Sequence, residues 1–284
     1  MTRPPPVNGC HMQPSPKPAM MSRSEVTLMC GRYTLTVDFQ VVFERFGFQT
    51  AGDFTYTPRY NIAPSQPVLA IISDGRVRRG GYLRWGLVPP WAKDPSIGNR
   101  MINARIETAA TKPAFREAIR HRRCLIPADG FYEWKSTAGG KIPMRCTLRS
   151  REVFAFAGLW ETWKGAEGKI LHTCTILTTA AAPSLASIHD RMPVIVPREL
   201  EQPWLDPGLK DPEAFLRQLR RPPGEDFEAY EVSRLVNSAG VDNPRCIEPV
   251  AGKGRNGAPS SAGTPHGEES PPEGTPMPEG GTGR

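Results

Sequence analysis

The most regular apolar pattern in the chain lies at residues 38–46. Apolar side chains recur there at positions i, i+3, i+4 and i+7, and Gly47 follows, which predicts an amphipathic helix with a glycine C-cap. Weaker patterns predict five further helices, at residues 103–110 with Asn103 near the N-cap, 114–120, 181–188, 199–205 and 212–220.

Segments with β-branched or aromatic residues are more numerous than the helical ones. They predict strands at residues 32–36, 68–72, 81–85, 144–148, 153–160, 173–179 and 194–196. Asp74-Gly75 predicts a hairpin turn, and Ala128-Asp129-Gly130 predicts another turn. Because strands outnumber helices and interleave with them irregularly, we expect one α+β domain around a curved, largely antiparallel sheet or open barrel.

Both ends of the chain lack this patterning. Residues 1–28 are rich in proline, and residues 251–284 consist mostly of Gly, Pro, Ser and Glu. Neither segment can bury enough apolar surface to offset the entropy cost of ordering. We therefore expect disordered ends on either side of a folded body at residues 29–250.

Composition narrows the possible partners only slightly. The formal charge of +7 is compatible with a polyanionic partner such as nucleic acid but does not require one. The six cysteines contain no C-x-x-C pair, so we expect neither a zinc site nor a disulfide framework, and no cofactor. No segment has the pattern of a signal peptide or a membrane span, so we expect a cytoplasmic protein without a membrane partner.

Met29-Cys30 stands where the patterned sequence begins. As a first residue, Cys30 would carry an α-amine and a thiol on adjacent carbons, an aminothiol that no internal cysteine has. We favour translation that starts at Met29, followed by removal of that methionine. The alternatives are autoproteolysis before Cys30, or a retained leader that leaves Cys30 unreactive.

Other segments carry candidate chemistry with ordinary alternatives. Glu133, in a predicted strand, is either a normal exposed residue or a general acid–base. Trp85 and Trp91 flank a proline-rich loop and either cover the core or form a stacking platform for bases. The run 120–123 predicts a solvated basic face, with phosphate contacts as the alternative. His189-Asp190-Arg191 places three reactive groups in one loop, although a lone histidine is more often structural.

Six motifs in order resemble the SRAP family, the SOS-response-associated peptidases, which are understood as abasic-site processing proteins. The resemblance spans residues 29–250. The motifs are Met-Cys-Gly-Arg-Tyr at 29–33, Tyr-Asn-Ile-Ala-Pro at 60–64, Trp-Gly-Leu-Val-Pro at 85–89, Asn-Ala-Arg-x-Glu-Thr at 103–108, Gly-Phe-Tyr-Glu-Trp at 130–134 and His-Asp-Arg-Met-Pro at 189–193. One departure is Pro90-Trp91-Ala92, where some relatives carry two adjacent tryptophans.

The resemblance implies the SRAP fold and a role in DNA repair within the SOS response. It implies a monomer that binds single-stranded DNA with abasic sites, including strand–duplex junctions, and links to those sites covalently as a thiazolidine. It further implies autoproteolytic and AP-lyase activities. The implied catalytic residues are Cys30, Asn103, Glu133 and His189, and the implied DNA-binding residues are Arg32, Trp91, Arg105 and Arg191. In a bacterium, the cytoplasmic protein would associate with the nucleoid.

Two other functions compete with this one. The basic surface and the tryptophans could serve a module that binds single strands without covalent chemistry. A cysteine peptidase that acts on other proteins is the third reading, but such an enzyme uses an internal cysteine and an oxyanion hole.

Overall fold

The computed structural model describes residues 31–50, 52, 54–220 and 227–251. Cys30 and almost all of the two ends predicted to be disordered lie outside the described residues. The described α-helices are α1 (Phe39–Phe46), α2 (Arg116–His121), α3 (Glu201–Leu205) and α4 (Pro212–Leu219), and five short 3-10 helices accompany them. The described strands are β1 (Arg32–Leu35), β2 (Gln49–Thr50), β3 (Arg59–Ile62), β4 (Pro67–Ser73), β5 (Arg78–Trp85), β6 (Asn103–Arg105), β7 (Arg123–Ala128), β8 (Gly130–Thr137), β9 (Gly140–Leu148), β10 (Phe154–Lys164), β11 (Ile170–Ala180), β12 (Arg191–Pro193), β13 (Ile195–Val196) and β14 (Phe227–Glu231).

Five strands close into a barrel. The antiparallel pairs run in the order β5–β4–β7–β10–β11, and β11 then pairs with β5 in parallel, with Cys174 opposite Trp85. Buried aliphatic and aromatic side chains fill the interior. The expectation of an α+β domain around a curved, largely antiparallel sheet is confirmed, and the parallel pair of β11 with β5 completes the ring.

A second sheet covers one side of this barrel. It is antiparallel throughout, in the order β14–β9–β8–β1–β3. The ring of Tyr33 in β1 packs edge-on against Trp85 and Phe156 of the barrel at centroid distances of 5.5 and 5.6 Å. Such edge-to-face pairs suit the ring quadrupoles. The two layers therefore share one core.

Asp129 carries the chain from the barrel into the second sheet. The turn predicted at 128–130 is a bend between β7 and β8, which lie in different sheets, so the chain does not reverse there. The Asp129 carboxylate accepts hydrogen bonds from the hydroxyl of Thr34, the backbone N–H of Thr36 and the guanidinium of Arg145. These bonds tie the bend to β1 and β9.

The helix predicted at 38–46 is confirmed, whereas the one predicted at 103–110 is wrong. In α1, Gly47 has a φ of 56° and its N–H donates to the carbonyl of Phe43, as a glycine C-cap requires. Asn103 instead begins β6, which pairs in parallel with β11, and only a turn follows. The neighbouring strand supplies a ladder of hydrogen bonds that the weak local helix pattern does not outweigh.

The helix predicted at 181–188 is also wrong. This segment forms successive turns that return the chain from β11 to its antiparallel neighbour β12. The N–H of Ala181 donates to the carbonyl of Asp190 at 2.9 Å, which closes the loop. The pairing of the two strands thus determines the shape of the segment between them.

The basic run at 120–123 is not a uniformly solvated face. Arg123 is buried, and its guanidinium donates to four carbonyl oxygens of the chain, those of Ile119, Arg120, Trp204 and Asp206. Arg122 forms an ion pair with Glu161 at 2.7 Å. Both side chains hold the segment after α2 in place.

Candidate functional site

Glu133 is a buried carboxylate beside the start of β1. Its residue is 3% exposed, so the interpretation as an ordinary exposed strand residue is wrong. In the antiparallel β1–β8 pair, Arg32 lies opposite Tyr132 and Tyr33 lies opposite Phe131. The same register places Gly31 opposite Glu133, and opposed residues share a face of the sheet. Gly31 has no side chain to cover the carboxylate, and Cys30 is bonded to Gly31.

Trp85 connects this part of β1 to Asn103. The Trp85 side chain is fully buried, and its indole N–H donates to the carbonyl of Ile102 at 2.8 Å. Its ring also packs edge-on against that of Tyr33, two residues after Gly31. A core residue therefore holds the backbone at Asn103 in a set position relative to β1.

His189 and Arg191 lie with Asn103 and Arg105 around the end of β11. Thr178 is opposite Arg105 on one side and opposite Pro193 on the other. The Nδ1 atom of His189 lies 3.0 Å from the backbone N of Arg191 and 3.0 Å from the Asp190 carboxylate. The backbone N–H of Arg191 and the Asp190 carboxylate lie against the same ring nitrogen, so both neighbours fix the orientation of the imidazole ring.

The two arginines of this group differ in their surroundings. The guanidinium of Arg191 binds both oxygens of Glu107, at 2.7 and 2.9 Å, and also donates to the carbonyl of Thr178. Burial would raise the pKa of Glu107, but the hydrogen bond and charge of Arg191 outweigh it and lower that pKa. Arg105 is exposed, and its side chain has no hydrogen-bond or ion-pair partner within the described part of the chain.

Arg32 faces the opposite side of the second sheet from Glu133. Its guanidinium donates to the side chain of Asn61 at 3.0 Å and to the carbonyls of Val236 and Asn237. Burial lowers the pKa of this guanidinium. Arg32 thus binds the segment that follows β14.

The two tryptophans that flank the proline-rich loop differ in their exposure to solvent. Trp85 belongs to the core, whereas Trp91 is 60% exposed. The loop is anchored by the indole N–H of Trp163, which donates to the carbonyl of Ala92 at 2.7 Å. Trp91 is therefore presented to solvent on a fixed backbone.

The profile of the family described as SOS response associated peptidase (SRAP) matches residues 29–239. The chain belongs to the SRAP family. It is 52% identical over 223 residues to the abasic site processing protein YoqW of Bacillus subtilis, covering 78% of this chain and 99% of the relative. It is 30% identical to the abasic site processing protein HMCES of Gallus gallus, covering 69% of this chain and 67% of the relative. A crystal structure of a protein from Bacteroides thetaiotaomicron aligns with a TM-score of 0.69 at 26% identity, covering 78% of this chain and all of that one.

The SRAP motif at 60–64 contributes a residue that sequence reasoning missed. Asn61 is fully buried, and its amide donates to the carbonyls of Val236, Ser238 and Val241. The motif itself was the available signal, but only the fold reveals that Asn61 holds a segment more than 170 residues away.

The other cysteines of this SRAP domain are poor nucleophiles. Cys124, Cys146, Cys174 and Cys246 are buried, and burial raises the pKa of the first three thiols.

Within the described residues, no three His, Cys, Asp or Glu side chains are grouped so that they could hold a metal ion. Across the same residues, every helix is too short or too polar to cross a bilayer.

Proposed function

We propose that this protein processes abasic sites in DNA by linking them covalently to the aminothiol of Cys30. The observation that carries the proposal is the position of Glu133, a carboxylate 3% exposed and opposite Gly31, next to Cys30 in the chain. The name abasic site processing protein, borne by relatives at 52% and 30% identity, supports it. The reaction requires that residues 1–29 be absent from the working protein.

The chemistry balances without a cofactor. An abasic site presents a ring-opened aldehyde, which the α-amine attacks to form a carbinolamine. Loss of water gives a Schiff base, and the thiol then adds to the same carbon to close a thiazolidine. An α-amine has a pKa of roughly 7.7–8.0, so much of it is neutral near pH 8, whereas an ordinary lysine is charged.

Three side chains have proposed roles in these steps. Glu133 passes protons to and from the amine and the departing hydroxyl. His189 donates a proton when the sugar ring opens. Asn103 orients the opened sugar with its amide. The positions around β11 and the Trp85–Ile102 hydrogen bond support these roles for Asn103 and His189.

Single-stranded DNA is the proposed partner, including strands next to a duplex. Arg105 is exposed and unpaired within the described residues, which suits a phosphate contact. Arg191 would share its guanidinium between Glu107 and a phosphate. Trp91, 60% exposed, would stack on a base at the junction, and Arg32 would contribute positive charge while it holds the segment after β14.

Two further activities follow from the same groups. The Schiff base makes the neighbouring sugar proton acidic, and its removal would eliminate the 3′ phosphate as an AP lyase does. Water attack on the peptide bond before Cys30, assisted by Glu133, would release the leader by autoproteolysis. We propose both as side activities of one monomeric domain at residues 29–250.

A denaturing gel with an abasic oligonucleotide tests the proposal. The N-terminus of the protein is first read by intact mass, and a band that survives denaturant is expected when Cys30 is the first residue. Cys30→Ala keeps the amine but lacks the thiol, so its link should appear only after borohydride reduction. Binding that is lost on denaturation in every sample would instead favour a non-covalent module, and cleavage of other proteins would favour a peptidase.

A further inference from the structure

A cavity of about 200 Å3 lies where the edge of the second sheet meets the barrel. Its wall is formed by β1, β3, β4 and β5 together with residues 55–57. This volume is below the roughly 300–1,000 Å3 of pockets for drug-sized ligands but equals that of several waters. The cavity therefore suits a single small ring.

Tyr33 is one of the polar residues that line this cavity. Tyr33 is 1% exposed, and its ring is packed in the core against Trp85 and Phe156. No hydrogen bond to its hydroxyl is formed by any described residue. The hydroxyl itself is not sealed from solvent, so a water or a ligand atom can hydrogen-bond to it from the cavity. Burial raises the pKa of Tyr33, which keeps the hydroxyl protonated and able to donate.

Two other tyrosines line the cavity, and the hydroxyls of both are already bonded to the backbone. The hydroxyl of Tyr56 donates to the carbonyl of Val37, and that of Tyr82 donates to the carbonyl of Thr55, both at 2.8 Å. Tyr82 is also stacked on Phe54, with ring centroids 5.2 Å apart. These bonds and contacts fix both rings in place beside the cavity.

Arg59 adds a positive charge at the rim. Its Nε is paired with Asp242, and its Nη2 donates to Gln66 at 2.7 Å. Its Nη1 has no partner among the residues described. Nη1 can therefore donate to an anionic group attached to a ring that binds in the cavity.

We propose that this cavity accepts one base of the bound single strand, against the side chains of Tyr56 and Tyr82 and on the Tyr33 hydroxyl. Arg59 then contacts the adjoining phosphate. The inference rests on the proposed function, because it assumes that the strand passes Cys30. At about 3.3 Å per residue of β-strand, Leu35 at the cavity lies roughly 13 Å along β1 from Gly31. A short stretch of extended single-stranded DNA covers that distance.

Equilibrium binding to oligothymidylate strands tests the inference. The full chain carries Cys30→Ala, which prevents the stable link, and each strand contains one stable tetrahydrofuran residue in place of the abasic site. A second base-less residue is then moved through the flanking positions one at a time. Loss of the base that enters the cavity should weaken binding about tenfold, since stacking contributes about 1–3 kcal/mol per base.

If a base enters the cavity, the effect of removing that base should depend on Tyr33. Stacking of a base on Trp91 should not depend on Tyr33, so this coupling distinguishes the two sites. Tyr33→Phe should weaken binding of the intact strand about threefold and have no effect on the strand that lacks the relevant base. Tyr82→Leu, at an exposed side chain, should show the same coupling with a larger loss. Tyr132→Phe is the matched control, because its hydroxyl donates to the carbonyl of Tyr60 and its side chain lies on the opposite face of the second sheet from Tyr33.

The outcomes separate this inference from the proposed function. Wild-type protein that forms the denaturant-resistant link, together with variants that couple to no flanking position, overturns the inference alone. Equal losses for Tyr33→Phe on all strands also overturn it. Protein that binds no abasic strand overturns both.

Discussion

Two carboxylates lie in one row across the second sheet, because Glu133 and Glu231 are each paired with Met144 of β9. Directly opposed residues share a face, so both carboxylates face the same side. Glu133 is the one adjacent to β1 and is buried, whereas Glu231 lies two strands away and is half-buried. Of these two carboxylates, only Glu133 lies on the strand next to β1, so the proposed proton transfer is assigned to Glu133.

Glu133→Gln should therefore slow both formation and reversal of the thiazolidine link. An amide cannot move the proton, and general acid–base catalysis typically contributes about 100-fold or more. Release of a labelled strand from a purified link, followed over time, measures the effect. Glu231→Gln makes the same change in the same row and should behave as wild type. Release from Glu133→Gln at the wild-type rate would remove the proton-transfer role.

The end of β5 depends on two glycines in direct contact. Gly86 has a φ of 124°, and a Cβ added there would lie 2.6 Å from the carbonyl oxygen of Gly98. Its N–H donates to the carbonyl of Cys174 at 2.8 Å, next to the parallel pair that closes the barrel. The Trp-Gly sequence at 85–86 thus serves two purposes. Trp85 supplies a buried side chain, and Gly86 permits the positive φ and the close approach to Gly98.

Gly86→Ala should destabilise the fold by roughly 3 kcal/mol, from the unfavourable φ and the contact with Gly98 together. Gly81→Ala is the control within the same strand, because an added Cβ there meets nothing within 4 Å. Urea unfolding of the two variants measures the difference. Equal midpoints would show that the close contact relaxes without cost.

A group of three charged residues links helices α1 and α3 to strand β5 of the barrel. Arg45 of α1 donates to both oxygens of Glu201 in α3, at 2.6 and 3.1 Å, and Arg78 of β5 lies 3.8 Å from the same carboxylate. Glu201 is 2% exposed. Removal of one partner from a buried pair leaves the other charge uncompensated.

Glu201→Gln should lower the free energy of unfolding by about 3 kcal/mol, because two guanidinium groups then face a neutral amide. Glu199→Gln, at an exposed position two residues earlier, should change it by less than about 0.5 kcal/mol. Denaturant titrations followed by tryptophan fluorescence compare the two. A Glu201→Gln protein as stable as wild type would mean that solvent reaches the pair.

Local patterning was sufficient for much of the fold and for the membership of the chain in its family. The i, i+3, i+4, i+7 spacing at 38–46 and the glycine after it encode α1 within one short segment. The ordered motifs likewise predicted SRAP membership, since family motifs are a property of the sequence. The helices wrongly predicted at 103–110 and 181–188 lie beside β11, where distant strands provide hydrogen bonds that no local pattern contains.

Burial and partners of charged groups depended on contacts between residues far apart in the chain. Neighbouring arginines in the run 120–123 differ in burial, because backbone carbonyls from the α3 region surround Arg123 and accept its hydrogen bonds. Glu133 became buried through pairing of β8 with both β1 and β9. The barrel closes through a parallel contact between β5 and β11, about 90 residues apart. Such long-range pairings arise when the whole chain packs, because each strand gains its hydrogen-bond partner and its dry face together.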